Sequence, residues 1–370
     1  MTKTKRILVA PLNWGLGHAT RCIPIINALL EHGHEPIIAS DGVALKLLQK
    51  EFPKLSFVEL PSYKIKYAEK GKHFKLKMLW DSPKVLKAMA KEKKTVKKAI
   101  KAYGIDGIIS DNRLGVRSKK VPCVFITHQL NVLSGNTTWF SSKAHQNIIK
   151  KYQECWVPDV AEKPNLTGKL GHLKNPDANI KYLGPLSRFE KVKTKKLYDL
   201  LVLLSGPEPQ RTLLEEKLLS ELEGFHGNIL FVKGKVQQKA KTKVLTLPNG
   251  KITVVNFMQS KELELALNAS EKVLCRSGYT TVMDLAKLEK KAFFIPTPGQ
   301  YEQEYLAKRL DKKELVPYCK QEDFKLKELN RIENYKGLQK FETQIDYASR
   351  FTAFSSVKEN SEPTSTSLST

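Results

Sequence analysis

The chain has 370 residues, a formal net charge of +25 and a hydrophobic content of 41%. This length predicts about two domains, and this apolar content is too high for a disordered chain. No stretch approaches the ~20 consecutive apolar residues of a membrane span, and we expect no signal peptide because the basic N-terminus runs directly into a strand pattern. The excess positive charge indicates a partner that carries phosphate or another anion.

The cysteines also indicate a compartment. All five lie far apart without a CxxC pair: Cys22, Cys123, Cys155, Cys275 and Cys319. This spacing predicts neither a disulfide framework nor a cysteine metal site, and it is typical of a reducing environment. We therefore expect a cytoplasmic protein.

The N-terminal half alternates strand and helix patterns. Strands are predicted at 6–11, 35–40, 55–60, 106–110 and 121–127, and helices at about 19–32, 42–51 and 83–103. Such alternation predicts a parallel sheet with helices on both faces. A further strand at 180–183 leads into GPLSRF and a lysine-rich stretch at 191–196, which we interpret as the domain boundary.

The turn NWGLGHATR, residues 13–21, joins the first strand to the first helix. Gly15 and Gly17 permit a tight turn, and the first N–H groups of the helix lack partners within it. Because the helix dipole also favours negative charge there, the turn predicts a cradle for an anionic ligand. His18 follows Gly17 directly and is placed to reach a bound reactant.

Residues 64–101 contain 14 lysines and only three acidic residues. Ser82 is predicted as the N-cap of a one-sided helix, and Gly104 as the residue that stops it. The segment before this helix mixes lysines with apolar residues: Phe74, Leu76, Met78, Leu79 and Trp80. Such a mixture suits an anionic bilayer, and a solvated lysine-rich helix beside a buried loop is the alternative.

The second half repeats the pattern of the first. Strands are predicted at 200–204, 228–232, 252–256, 272–275 and 292–296, and helices after 211, at 260–268, at 279–288 and at 300–310. We expect an N-terminal domain at 1–186, a C-terminal domain at 187–332, a C-terminal helix at 333–350 and a disordered tail at 351–370. Two doubly wound domains would leave a ligand cleft between the carboxyl edges of their sheets.

A second motif, CRSGYTTVMDLAKLEKKAFFIPTPGQYEQEYLA, spans residues 275–307. Its first residues end a strand and open a helix, which predicts a second anion cradle. Asp284 lies one turn further on and could accept hydrogen bonds from a ribose diol. The hydrogen-bonding residues of this segment, which we predict to bind a donor, are Arg276, Ser277, Gly278, Tyr279, Thr280, Thr281, Asp284, Gln300, Glu302 and Gln303.

These two motifs resemble the GT-B glycosyltransferases related to the enzyme that adds N-acetylglucosamine to the peptidoglycan lipid intermediate. The resemblance is strong at 13–24 and 275–307 and thin over the rest of 5–332. It implies an α/β GT-B fold, with two Rossmann-like, doubly wound parallel-sheet domains facing a central cleft. The run SGPEPQR at 205–211 indicates a side branch of this MurG-like family.

The resemblance also implies roles for single residues. His18 matches a loop histidine near the acceptor and the donor phosphates, and Arg188 matches an interdomain arginine near the diphosphate. Phe257 and Met258 match a pair beside the uracil. Asp284 replaces the usual glutamate at the ribose, which shortens its reach.

Other positions depart further from the family pattern. Gln303 matches a glutamine that holds donor-sugar hydroxyls, but its neighbour is Glu302 in place of a second glutamine, which puts N-acetylglucosamine in doubt as the donor. Pro207 occupies the place of a phosphate-contacting serine, so Ser205 and Gly206 would supply that contact. On the acceptor side we place Asn13, Asp111, His128 and Gln129.

Together these features predict an inverting, metal-independent glycosyltransferase that uses a nucleotide-diphosphate sugar, with UDP as the expected nucleotide. The general base would be His18, with Asp111 and His128 as alternatives. Because the sequence has no Asp-x-Asp, we predict no metal ion and no cofactor at the diphosphate, which helix N-termini, Arg188 and Arg276 would stabilise instead.

The acceptor is predicted to be a hydroxyl group, for which a lipid-linked or cell-envelope glycan is a candidate. An anionic membrane on the inner face of the plasma membrane is then a candidate surface for peripheral docking. Two other functions remain open: a nucleotide-sugar epimerase on the same scaffold, and a non-enzymatic basic binding protein. No nucleic-acid-binding motif supports an RNA or DNA partner.

Overall fold

The computed structural model describes residues 4–14, 16–63, 74–133, 138–235, 242–338 and 345–355, and for residues 74–84 only the backbone. These residues form two α/β domains, each built on one mostly parallel sheet. No helix of the described residues is long and apolar enough to cross a membrane.

The N-terminal domain contains a seven-stranded, fully parallel sheet in the order β3-β2-β1-β4-β5-β6-β7. Its strands are β1 (Arg6–Pro11), β2 (Glu35–Ser40), β3 (Ser56–Glu59), β4 (Gly107–Asp111), β5 (Cys123–Ile126), β6 (Glu154–Val157) and β7 (Ile180–Tyr182). Its helices are α1 (Gly17–Glu31), α2 (Gly42–Glu51), α3 (Phe74–Tyr103) and α4 (Thr138–Ile149). The strand order reverses between β1 and β4, and ligands bind at such switch points.

The C-terminal domain contains a six-stranded sheet in the order β10-β11-β9-β8-β12-β13. Its strands are β8 (Tyr198–Leu203), β9 (Gly227–Val232), β10 (Thr242–Leu247), β11 (Gly250–Val255), β12 (Ser270–Cys275) and β13 (Lys291–Phe294). Its helices are α5 (Gln210–Glu221), α6 (Ser260–Asn268), α7 (Tyr279–Lys287) and α8 (Tyr301–Lys312). Only β10 is antiparallel to its neighbour, and the sequence patterns did not predict this largely exposed edge strand.

Both faces of each sheet are buried. In β1, Ile7 and Val9 pack into one apolar cluster, whereas Leu8 and Ala10 pack into another on the opposite face. The C-terminal sheet is likewise covered by two clusters. The near-continuous apolar strands of the sequence are therefore those of a sheet covered by helices on both sides, as predicted. This arrangement leaves the carboxyl ends of the strands as the places where polar side chains can gather.

Helix α3 is longer than the sequence pattern suggested. It begins at Phe74, so Ser82 is not its N-cap. It ends at Tyr103, before Gly104, whose positive φ of 60° suits a helix stop, as predicted. The side chains of the predicted membrane-binding residues Phe74, Leu76, Met78, Leu79 and Trp80 lie outside the described part of the chain.

The end of the chain also differs from its prediction. Within the range 333–350, where one helix was predicted, the described residues contain the end of a 3-10 helix (Leu326–Asn334) and most of a short helix α9 (Tyr347–Phe351), and residues 339–344 lie outside the described part. Phe351 and Phe354 are buried in the N-terminal domain beside Trp156. The expected disordered tail therefore does not begin at 351, because apolar contacts hold that segment, and its remainder at 356–370 lies outside the described residues.

Candidate active site

The N-termini of two helices, one from each domain, meet in the cleft. Helix α1 begins at Gly17 after β1, and helix α7 begins at Tyr279 after β12. The Thr280 hydroxyl donates a hydrogen bond of 3.1 Å to the carbonyl oxygen of Gly17. A Cβ atom at Gly17 would lie only 3.0 Å from that hydroxyl, so this close approach favours glycine. Both predicted anion cradles therefore belong to one site, although Gly15 itself lies outside the described residues.

His18 is part of a buried charge cluster at the floor of this site. Its Nδ1 lies 2.9 Å from Oδ1 of Asp111 and 2.7 Å from Nη2 of Arg21. Arg21 also donates through Nε to Oδ2 of Asp111 at 2.5 Å and through Nη2 to Oδ1. Residues 18 and 21 share one face of α1, and Asp111 ends the neighbouring strand β4, so the switch point of the sheet brings the three together.

The electrostatics of this cluster set the charge state of each member. Burial lowers the pKa of His18, and the opposing charge of Asp111 does not fully restore it against that of Arg21. Burial alone would raise the pKa of Asp111, but Arg21 and His18 outweigh it and hold that pKa well below its usual range. The cluster therefore holds a neutral imidazole beside an ionised carboxylate at neutral pH.

A second histidine connects this cluster to the C-terminal domain. Nη1 of Arg21 donates to Nδ1 of His128 at 2.6 Å, so the proton of this imidazole belongs on Nε2. That Nε2 lies 3.1 Å from a carboxylate oxygen of Glu302, which also accepts a hydrogen bond from the Gln129 side chain. The His128 ring stacks on Tyr279, with ring centroids 4.2 Å apart. Predicted acceptor-side and donor-side residues are thus in direct contact.

A separate set of contacts surrounds the segment that joins the domains. The carboxylate of Asp284, on α7, accepts a hydrogen bond of 2.7 Å from the Ser187 hydroxyl. Burial raises the pKa of Asp284 to about 6, although nearby Arg188 opposes that shift. Arg188 donates to the Ser260 hydroxyl at 2.9 Å, and Ser260 donates to Glu51 at 2.5 Å. Asp284 therefore stabilises the linker, and a ribose would have to share its carboxylate.

Arg276 was predicted to bind the diphosphate, but its side chain is buried inside the C-terminal domain. Its side chain is only 1% exposed, and its guanidinium donates to the carbonyl oxygens of Ile295, Pro296 and Gln210 and to the Gln321 side chain. The neighbouring Ser277 hydroxyl donates to a backbone carbonyl of α8. These contacts hold the turn before α7 against the loop after β13, and the buried Nε of Arg276 has no partner among the described residues.

The polar loop before α8 is internally bonded. The Gln303 side chain accepts from the backbone N–H of Thr297 at 2.8 Å and donates to Gln300 at 2.6 Å. The buried Thr297 hydroxyl has no hydrogen-bond partner among the described residues, and it lies 3.6 Å from a Cβ atom built on Gly206. Gly206 has a φ of 104°, and it follows half-buried Ser205 in the turn after β8. Thr297 is thus a candidate donor contact that the sequence patterns did not indicate.

The remaining predicted residues lie at the edges of the cleft. Asn13 donates to Asp41 at 3.0 Å and accepts from the backbone N–H of Ala44, so its amide anchors the start of α2. Phe257 packs against the N-terminal domain core, where Lys50 lies over its ring. Met258 packs against the C-terminal core. Half-buried Thr281 completes the first turn of α7, next to its N-cap Gly278.

The sequence patterns missed two residues of the site. Arg21 connects His18 to His128, and Glu51 binds Ser260, the partner of Arg188. Arg21 carries no motif role, but its position three residues after His18 is a signal, because such pairs share one helix face. Glu51 lies at the end of α2 and contacts the other domain through Ser260. No periodicity of the sequence indicates that contact.

Comparison with known proteins finds similarity to glycosyltransferases. Residues 210–355 match the glycosyltransferase family 28 C-terminal domain. A Clostridium tetani protein named UDP-N-acetylglucosamine–N-acetylmuramyl-(pentapeptide) pyrophosphoryl-undecaprenol N-acetylglucosamine transferase is 26% identical over 289 residues, which cover 76% of this chain and 75% of that protein. The protein of the same name from Haemophilus ducreyi is 24% identical over 232 residues, and the matched segment spans 60% of each chain.

Solved structures show the same architecture. MurG of Acinetobacter baumannii superposes with a TM-score of 0.53 at 15% identity, covering 89% of each chain. The spinosyn rhamnosyltransferase SpnG, complexed with thymidine diphosphate, superposes with a TM-score of 0.59 at 16% identity, covering 95% of each chain. The chain therefore has the GT-B fold, and the family match of its C-terminal domain together with the sequence relatives supports a MurG-like glycosyltransferase.

Proposed function

We propose that the chain transfers a sugar from a UDP-sugar to a hydroxyl acceptor, with inversion at the anomeric carbon. The observation that carries this proposal is the buried cluster of His18, Asp111 and Arg21 at the meeting point of α1 and α7. This arrangement combines a proton acceptor with a cradle for a diphosphate. Both are required when a hydroxyl displaces a nucleotide diphosphate.

In this mechanism His18 is the general base. This role requires the ring proton of His18 to lie on Nδ1 and to be donated to Asp111, so that Nη2 of Arg21, which also lies 2.7 Å from Nδ1, donates to Asp111 instead and Nε2 of His18 remains the acceptor. Nε2 makes no hydrogen bond among the described residues, and the His18 side chain is 12% exposed, so an acceptor hydroxyl could reach it. Because burial lowers the pKa of His18, the base is already unprotonated at neutral pH.

The leaving diphosphate would be stabilised by the first-turn N–H groups of α7. Gly278, the N-cap of this helix, has no side chain to occupy them. Arg188 lies beside Asp284 at the domain junction, and its buried Nε has no partner among the described residues, which supports the predicted role near the diphosphate. Within the described residues, no three His, Cys, Asp or Glu side chains are grouped as a metal ion would require.

The donor sugar is proposed from the sequence relatives and from the contacts of Glu302. The names of the sequence relatives support a UDP-linked donor. However, the Glu302 carboxylate already accepts hydrogen bonds from His128 and Gln129 across the cleft. Burial alone would raise the pKa of Glu302, but these two partners outweigh it and lower that pKa. An ionised carboxylate only accepts hydrogen bonds, whereas a glutamine also donates them. We therefore infer a donor sugar that offers hydroxyl donors to Glu302.

The acceptor and its location are proposed from the basic region and the relatives. Those relatives are named for a pyrophosphoryl-undecaprenol substrate, which is a lipid-linked acceptor. The exposed lysines of α3, among them Lys91, Lys94 and Lys98, would attract an anionic membrane. We propose a cytoplasmic enzyme that docks peripherally on the inner face of the plasma membrane.

A donor screen tests this function. The purified chain is incubated with UDP-N-acetylglucosamine, UDP-glucose, UDP-galactose and a thymidine-diphosphate sugar, and release of the nucleotide diphosphate is measured with and without a chelator. We expect selective release from one UDP-sugar that the chelator does not change, since the diphosphate is held by N–H groups and arginine. Because no acceptor is added, the sugar passes to water in this assay, so release from no donor would contradict these sugars as donors that the chain hydrolyses, and strict metal dependence would contradict the metal-independent mechanism.

A further inference from the structure

A cavity of about 330 Å³ lies between helix α3 and the segment that joins β4 to β5. We call it the basic pocket. It is lined by Lys93, Lys97, Ile100, Lys101, Arg117, Ser118, Lys119 and Lys120. Six of these eight residues are cationic and none is acidic. The lining therefore has the composition of an anion-binding site.

The basic pocket is remote from the proposed active site. Helix α3 ends at Tyr103, just before the first residue of β4, and Lys120 lies just before β5, which starts at Cys123. The pocket is therefore at the amino ends of these strands, whereas Asp111 ends β4 at its carboxyl edge. The five residues of β4 separate the two places by roughly 16 Å at ~3.3 Å per residue. A ligand in this pocket would not occupy the cleft.

The charges of the basic pocket are not neutralised within the protein. Elsewhere the chain pairs many of its cations; Glu333, for example, lies 2.6 Å from Lys272 and 3.0 Å from Lys291. In the described part of the chain, by contrast, none of the six cations of the pocket forms an ion pair with a carboxylate. Like charges around one cavity repel each other, so a bound anion would relieve this repulsion.

One wall of the basic pocket is held in place by backbone contacts. The buried thiol of Cys123 lies 3.3 Å from both the backbone N–H and the carbonyl oxygen of Ser118, and 3.2 Å from the carbonyl oxygen of Val121. The Ser118 hydroxyl accepts a hydrogen bond from the backbone N–H of Lys120 at 3.1 Å. The opposite wall is helix α3, on which Lys93, Lys97 and Lys101 recur every four residues. The cations are thus presented by two fixed elements.

We propose that the basic pocket binds a ligand that carries several neighbouring phosphate groups. A single carboxylate would engage few of the six cations, whereas a chain or cluster of phosphates can contact several of them together. Arg117 supplies a planar fork that suits phosphate oxygens, and the lysines supply mobile point charges. The source is either a free polyphosphorylated molecule or the headgroups of an anionic lipid surface, which share this chemistry.

Titration with inorganic tripolyphosphate tests the proposal on the full chain. The titration is run with excess UDP present, so that the cleft does not compete for the probe. We expect binding that weakens with added salt, and roughly tenfold weaker binding to a Lys97→Gln, Arg117→Gln double variant, since several exposed contacts are lost together. A Lys243→Gln, Lys251→Gln variant removes two exposed charges from the β10–β11 hairpin and should bind as the wild type does.

A vesicle arm distinguishes the two sources. Sedimentation with phosphatidylglycerol-containing and pure phosphatidylcholine vesicles is compared for the same variants. If the Lys97→Gln, Arg117→Gln variant loses tripolyphosphate binding but still binds the anionic vesicles, the ligand is a free molecule. If this variant also loses binding to the anionic vesicles, the ligand is a lipid headgroup. If the pocket variant and the hairpin variant bind both probes equally, the basic pocket is not a phosphate site. A Lys97→Arg, Arg117→Lys variant keeps the charge and should retain binding.

Discussion

The cleft and the basic pocket use positive charge in opposite ways. In the cleft, Arg21 is 2% exposed and shares the carboxylate of Asp111 with His18. In the basic pocket, five exposed lysines and half-buried Arg117 have no such carboxylate among the described residues. Burial explains the difference, because an unpaired charge is very costly inside a protein and inexpensive in water. Paired charges can therefore position a reaction, whereas exposed unpaired charges attract a ligand.

The largest effect is expected at His18. We predict that His18→Ala lowers turnover by ~10²–10⁴-fold with donor binding largely kept, because the general base is lost. Single-turnover kinetics and a UDP titration measure the two quantities. His226→Ala, which removes an exposed histidine of the C-terminal domain, is the matched control and should leave turnover unchanged. Near-wild-type turnover of His18→Ala would remove this residue from the reaction.

The paired and unpaired regions should also differ in stability. We predict that Asp111→Ala lowers the free energy of unfolding by about 3–5 kcal/mol, because it leaves the buried Arg21 without its counter-charge. Asp177→Ala breaks an exposed ion pair with Lys150, and Lys97→Gln breaks no ion pair of the described residues. Each of these two variants should therefore change the free energy of unfolding by less than about 1 kcal/mol. Urea unfolding measures all three. Equal effects would show that the cleft charges are not balanced as described.

Donor binding is expected to depend on the ionisation of Asp284. Burial raises the pKa of Asp284 to about 6, so its side chain becomes protonated and loses its charge as the pH falls through 6. We predict that UDP binding by the wild type weakens over this range, because a protonated carboxyl group makes a weaker contact with a ribose diol. Asp284→Ala should bind UDP more weakly by ~1.5–3 kcal/mol at neutral pH. The UDP affinity of Asp284→Ala should also not change as the pH falls through 6. Calorimetry that shows the same UDP affinity for this variant and the wild type would exclude Asp284 from the site.

The smallest single effects are expected on the exposed face of α3. If the lysines dock the chain on a membrane, each contributes about 1 kcal/mol at an anionic surface, and salt screens the effect within ~8–10 Å. We predict that a charge-reversed variant at Lys91, Lys94 and Lys98 sediments less with anionic vesicles at low salt, with unchanged donor hydrolysis in solution. Normal sedimentation of this variant would show that this face is not the contact. Equal binding of the wild type to neutral vesicles would contradict the electrostatic docking.

Much of the fold could be predicted from the sequence because it depends on local patterns. Apolar runs bounded by turns indicated all but one strand of the C-terminal sheet, and the two glycine turns at 13–17 and 275–278 indicated which helix starts form the site. The misses have physical causes. Strand β10 is too exposed to show a buried pattern, and the helical pattern at 83–103 did not reveal that α3 begins at Phe74. In the N-terminal domain α4 and the short strand β6, which has only four residues, were not predicted either.

The tertiary structure alone decided how these parts meet. The contact of His128 with Glu302 spans 174 residues, and that of Ser260 with Glu51 spans 209, so no local pattern could indicate either. The same holds for Phe354, which returns to the N-terminal core, where its ring excludes a side chain at Gly107. Sequence determines which residues can carry charge or start a helix. Only the packing of two domains determines which charges become buried and must therefore be paired or hydrogen-bonded.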